Sequence, residues 1–134
     1  MRDFRKLKVW HKVHSLTLAV YEATRRFPKE ELFGLTSQTR RASVSIGANI
    51  AEGCGRTGRG EFLQFLNIAF GSASELEYHL LLAADLHLMD RPTHDRLHDE
   101  IRQVKKMLTS LMQTIRQDSR NQSTSQFRGA PPKH

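Results

Sequence analysis

Residues 37–80 read SQTRRASVSIGANIAEGCGRTGRGEFLQFLNIAFGSASELEYHL. Two segments with apolar residues at three- and four-residue steps flank a glycine-rich break at Gly53–Gly60. This pattern predicts two helices joined by a tight connector. The first of them, about Leu32 to Ala51, lines up Leu35, Thr39, Ala42, Ile46, Asn49, Ile50 and Gly53 on one stripe. That face is small and partly polar, so another backbone can come close. A buried Asn49 would need a hydrogen-bond partner, since an unsatisfied buried amide costs roughly 1–3 kcal/mol. Arg41 and Glu52 share a flank but lie about 16 Å apart along the axis at ~1.5 Å per residue, too far to pair within the helix. Burial of either would demand a partner from another helix or another subunit.

The second segment, about Glu61 to Leu88, is the most apolar. Phe62, Phe65, Leu66, Ala69, Ala73, Leu76, Leu80 and Ala83 form one stripe. Leu63, Phe70, Leu81 and Leu88 form another, turned roughly 80–100° from it at ~100° per residue. One core uses the first stripe, so the second is either an unusually wide core face or a subunit interface. Of the two, the interface is the preferred reading, because burying side chains of this size is worth roughly 1.5–3 kcal/mol each.

Working outward, about Leu7 to Phe27 forms a further helix with Trp10, Val13, Thr17, Val20, Tyr21 and Thr24 on one side. Pro28 ends it, making Phe27 the last helical position. About Thr93 to Gln117 carries Leu97, Ile101, Val104, Leu108, Leu111 and Ile115 on one stripe, behind an Asp90-Arg91-Pro92 start. From Asp118 the sequence turns polar and prolyl with no repeating apolar face. The reading is therefore an all-α, antiparallel up-down four-helix bundle over residues 1–117 with a disordered C-terminal tail at 118–134.

The chain has 134 residues and a formal net charge of +7, unevenly spread. Residues 1–30 carry eight Lys or Arg against three acids, whereas residues 61–90 carry five acids and no Lys or Arg. Either the acidic helix pairs with its basic neighbours inside the bundle, or the basic faces left over meet a polyanion. No apolar run suits a signal peptide or a membrane span, and the single Cys54 makes no internal disulfide. A cytoplasmic protein without membrane contact is expected.

Chemical motifs are few. Gly53-Cys54-Gly55-Arg56-Thr57-Gly58 matches G-x-G-x-x-G, but a helix and not a strand precedes it, which removes the dinucleotide reading. Arg59-Gly60 stands where a Walker loop has Lys-Ser or Lys-Thr. What is left is a basic turn, Arg56 and Arg59, opening onto a helix N-terminus that favours anions. His94, Asp95 and His98 give one carboxylate-x-x-histidine pair with no second copy, so they read as solvated and not as a di-iron site. Cys54 has no base beside it in sequence. No catalytic, metal or cofactor site emerges, and an enzyme is not expected.

Ser37-Gln38, Arg40-Arg41-Ala42, Ser45-Ile46, Asn49-Ile50-Ala51-Glu52-Gly53, Glu61-Phe62, Phe65-Leu66, Ile68-Ala69, Gly71-Ser72 and Glu75-Leu76-Glu77 carry a further signal. In this set and spacing the chain resembles the bacterial four helix bundle protein family, also called the 23S ribosomal RNA intervening-sequence proteins, from about Phe4 to Ile115. Gly47 departs from a proline found in many members, which bears on whether the second helix bends there. The resemblance implies a ring-like homo-oligomer, with a pentamer favoured, and Arg41, Asn49, Glu52 and Glu75 as structural polar positions. More distantly the chain resembles the accessory variability determinants of diversity-generating retroelements, basic pentamers that act with a reverse transcriptase and nucleic acid.

Two functions follow as expectations. One is a non-catalytic oligomer that contacts RNA or DNA backbone through Lys6, Lys8, Lys12, Arg25, Arg26, Arg56, Arg59, Lys105 and Lys106. The absence of aromatic residues interleaved with these lysines and arginines favours shape and charge over base reading. The other is an oligomeric scaffold for a protein partner such as a reverse transcriptase.

Overall fold

The computed structural model describes residues 2–129, with the side chains of residues 2–118. Among them there are four long helices and no strand: α1 Lys8–Thr24, α2 Ser37–Cys54, α3 Arg59–Asp85 and α4 Arg91–Gly129. Helix α1 packs on α2 and α4, and α3 packs on α2 and α4, so the four enclose one core. Its centre is Val13, Leu16, Ile46, Ile50, Phe62, Leu66, Leu76, Leu80, Ile101 and Leu108, none more than 1% exposed. Among the described residues no helix is long and apolar enough to cross a membrane.

The α2–α3 contact is close because its side chains are small. A Cβ at Gly53 would lie 2.9 Å from both Phe62 Cδ1 and Phe65 Cβ, so only glycine fits at this crossing. Farther along, the hydroxyls of Ser45 and Ser72 meet at 2.8 Å. Helix α2 is unbroken through Gly47, where an added Cβ would meet Val13 and the Trp10 indole nitrogen at ordinary contact distance. The bend a proline would impose there is absent.

Four boundaries and one stripe differ from the sequence reading. Helix α1 stops at Thr24, where the Thr24 hydroxyl donates to the Val20 and Tyr21 carbonyls and the Phe27 N–H turns back onto the Thr24 carbonyl. Phe27 is thereby buried past the helix end instead of closing it. The buried line of α1 is Val9, Val13, Leu16, Val20 and Thr24. Trp10, Thr17 and Tyr21 instead form the flank against α2: Trp10 beside Gly47, Thr17 donating to the Ser43 carbonyl, Tyr21 under Arg40. Helix α2 starts at Ser37 and not at Leu32, because a π-helical turn at Leu32–Thr36 leaves the helical region at Gly34 (φ −110°, ψ −113°).

Helix α3 ends at Asp85, where Leu88 N–H donates to the Ala83 carbonyl and His87 N–H to the Ala84 carbonyl. This is a Schellman closure with His87 in the left-handed position, φ 61°. It folds Leu88 back onto the core. Asp90 then caps α4 by accepting from the Thr93 N–H at 2.8 Å. Where the sequence reading places a disordered tail from 118, the α4 backbone runs on to Gly129; neither proline nor glycine interrupts 118–128. Among the residues with described side chains the last buried one of the α4 stripe is Ile115, and residues 130–134 of that tail lie outside the described residues.

Candidate nucleic-acid interface

The start of α1 and the middle of α4 form one basic end. Lys6, Lys8 and Lys106 are exposed and have no carboxylate partner among the described residues. Lys8 and Lys106 flank a hollow of about 350 Å³ floored by Leu7, Val9, Met107 and Leu111. No aromatic ring lines this hollow; the rings at the start of α1 cluster on its α2 side, where Trp10 lies beside Gly47. Trp10 stacks on His14 with centroids 5.0 Å apart, Phe4 lies 4.8 Å from Trp10, and the Arg5 guanidinium sits over Phe4. This ring cluster was partly legible: Trp10 and His14 are one helical turn apart, whereas the approach of Phe4 depends on the short 3-10 turn at Phe4–Lys6.

Other predicted phosphate contacts are already engaged. Lys12 Nζ meets Glu100 at 3.1 Å and Lys105 Nζ meets Glu77 at 3.0 Å with the Phe70 ring beneath it. Arg25 pairs with Glu22, and Arg56 pairs with Glu52 while lying over Phe65. Arg59 opens α3 half-buried, and Arg26 is exposed near Asp90. Thus the acidic α3 does bind its basic neighbour, through Glu77, and that part of the charge is internal. Burial pushes the Glu77 carboxyl up, but hydrogen bonds and charge from Lys105 and His98 outweigh burial and hold it below the usual range.

Three of the four expected polar positions have a partner within their own helix or the turn that follows it. Asn49 is half-buried and donates to the Ser45 carbonyl and hydroxyl within α2, so no partner from another helix is needed. Arg41 and Glu52 are both exposed; Glu52 takes Arg56, and Arg41 has no carboxylate partner among the described residues. Glu75 is exposed, with His79 Nε2 3.6 Å away.

His94 corrects the solvated reading. It is 6% exposed, stacks on His98 at 5.6 Å, and places Nδ1 3.0 Å from Asp95. His98 Nε2 lies 2.9 Å from Glu77. Among the described residues no three His, Cys, Asp or Glu side chains gather as a metal site. Burial pushes the Cys54 thiol up, which keeps it protonated, and Arg2 N–H donates to its carbonyl. The glycine-rich segment is the end of α2 and the Gly58 cap of α3, with Glu61 in the first turn where an anion would sit.

The second stripe of α3 does not stand free. Leu63, Phe70 and Leu88 are half-buried against the core, and of the four only Leu81 is exposed. The strongest apolar exposure lies elsewhere, at Phe33 between α1 and α2.

The chain is similar to a protein of unknown function from the S23 ribosomal protein family of Bacteroides thetaiotaomicron, seen in a crystal structure. The two share 27% identity and a TM-score of 0.73, over 78% of this chain and 95% of that one. No curated protein matches. Residues 5–110 match the 23S rRNA-intervening sequence protein family, and a match over that much of a 134-residue helical chain settles kinship: this chain belongs to the 23S rRNA-intervening sequence protein family.

Proposed function

We propose that this chain is an antiparallel up-down four-helix bundle that self-assembles into a ring-like homo-oligomer, with a pentamer favoured, and contacts RNA or DNA backbone without catalysis. The observation that supports the reading is the basic end of α1 and α4. Lys6, Lys8 and Lys106 remain exposed and unpaired among the described residues after Lys12, Arg25, Arg56 and Lys105 have taken internal carboxylates. Surplus positive charge of this kind neutralises phosphates, and repetition of it around an assembly makes weak contacts add. The family name, with its link to ribosomal RNA, agrees with a nucleic-acid partner.

The test is an anisotropy titration of the full chain with structured RNA and with duplex DNA at two salt concentrations. Affinity falls with salt at a log-log slope of about 0.7–0.9 per phosphate neutralised. Lys8→Glu with Lys106→Glu weakens binding to both and reduces that slope, while the helical circular dichroism is unchanged. Absence of binding at ~50 mM salt overturns the reading, because backbone contacts of this kind are strong there. The protein scaffold, with a partner such as a reverse transcriptase, then replaces it.

A further inference from the structure

Phe33 is 93% exposed, although it lies on a turn braced at both ends. Glu31 accepts from the Leu35 N–H at 3.3 Å on one side, and α2 begins at Ser37 on the other. Around it Leu32, Tyr21 and Val44 are 47%, 39% and 45% exposed, and together they line a groove of about 640 Å³ with Arg40 and Arg41. Arg40 is held by Thr24 and lies over Tyr21, whereas Arg41 is exposed without a carboxylate among the described residues. An aromatic and two aliphatic side chains held in solvent beside an unpaired guanidinium form an interaction surface.

A complementary surface is present on the same chain. The outward arc of α3 carries Ile68, Tyr78 and Leu81, 47%, 59% and 45% exposed, together with Glu75 and Asp85. At ~100° per residue these five fall within about 140° of the helix. Residues 61–90 contain no Lys or Arg, so this arc is apolar and acidic where the groove is apolar and basic. A two-fold contact of groove with groove would set Arg41 against Arg41. A contact of groove with arc sets Arg41 against Glu75 or Asp85 and covers both apolar sets.

We infer that the groove of one copy receives the α3 arc of the next, with Phe33 as the inserted side chain; this rests on the self-assembly proposed above. The contact joins two different surfaces, so it is heterologous and propagates around a ring instead of ending at a dimer. A stacked base is the weaker occupant. The Tyr21 face is already covered by Arg40, one ring remains, and Leu32 and Val44 offer aliphatic and not π surface.

The experiment compares full-length wild type with Phe33→Ser, Arg41→Glu, Glu75→Arg and the Arg41→Glu/Glu75→Arg double variant by sedimentation equilibrium. Circular dichroism confirms that each keeps its helices, as the exposure of all three positions requires. Each single variant weakens assembly by about tenfold or more, and the double variant regains most of the loss of its parents. Assembly of all variants as wild type overturns this contact and leaves self-assembly standing. So does a double variant no better than its parents. Phe33→Ser that lowers RNA affinity with assembly intact assigns the groove to nucleic acid and overturns it too. A wild type that is monomeric throughout the micromolar range removes the self-assembly reading itself, and this contact with it.

Discussion

The two helix pairs of the bundle end their connectors in opposite ways. Between α3 and α4 the chain turns on His87, folds Leu88 onto the core, buries Met89 and caps α4 with Asp90. Glu77 then takes Lys105 and His98 across the pair. Between α1 and α2 the chain leaves the helical region at Gly34 and holds Leu32 and Phe33 in solvent, while Arg41, just inside α2, pairs with no carboxylate among the described residues. Both connectors bury one large apolar residue, Phe27 in the first and Met89 in the second, but the first holds Phe33 93% in solvent where the most exposed apolar residue of the second, Leu86, is 52% exposed. The difference separates the part of the sequence that stabilises the fold from the part that is available to another molecule.

The sharpest way to break that comparison is to truncate one apolar residue in each connector. Met89→Ala removes a side chain that is 9% exposed and lowers the unfolding free energy by about 2 kcal/mol or more. Phe33→Ala, from 93% exposure, stays within about 0.5 kcal/mol of wild type when the chain is dilute enough to be monomeric. Urea titrations followed by circular dichroism read both. An equal loss in the two variants would mean that Phe33 is covered within the protomer and that the connectors do not differ.

Periodicity made the helices legible because a core-facing stripe repeats every three or four residues. Leu97, Ile101, Val104, Leu108 and Ile115 are all buried, as are Leu66, Ala69, Ala73, Leu76, Leu80 and Ala83. It erred where two faces of one helix both pack. In α1 half of the residues read as core, Val13, Val20 and Thr24, are buried, but Trp10, Thr17 and Tyr21 are the flank against α2 and their places in the core are taken by Val9 and Leu16. Phe33 was invisible for a related reason: the turn at Gly34 shifts the phase of the helix that follows, so no stripe includes it. Charge was the least legible. The count of lysines and arginines did not tell that Lys105 is held by Glu77, twenty-eight residues away in sequence, or Lys12 by Glu100. Only after those pairs are set aside do Lys6, Lys8 and Lys106 stand out.

The second prediction sharpens the electrostatic side of the comparison. Glu77 binds its proton less readily in the folded chain than in the unfolded one, because its carboxyl is held below the ordinary value of 4.5. Its contribution is therefore complete above that value and is lost as pH falls through the folded one. Glu77→Gln lowers stability by about 1 kcal/mol at neutral pH, the scale of a half-exposed ion pair. The gap between wild type and variant narrows in acid. A gap that does not change with pH would mean that packing alone joins α3 to α4.

The smallest effect belongs to His87, whose φ of 61° puts a side chain in the left-handed region. For a residue with a Cβ that conformation costs roughly 1–2 kcal/mol. Glycine removes the cost but is freer in the unfolded chain, which offsets roughly 0.5–1 kcal/mol of the gain. His87→Gly therefore stabilises by about 0.5 kcal/mol, seen as a higher urea midpoint with an unchanged slope. The Leu88 and His87 hydrogen bonds to Ala83 and Ala84 survive the change, since both are made by backbone groups. A loss of stability would show that the exposed imidazole makes contacts which outweigh the strain. The α3–α4 connector would then owe its closure to that side chain as well as to its backbone.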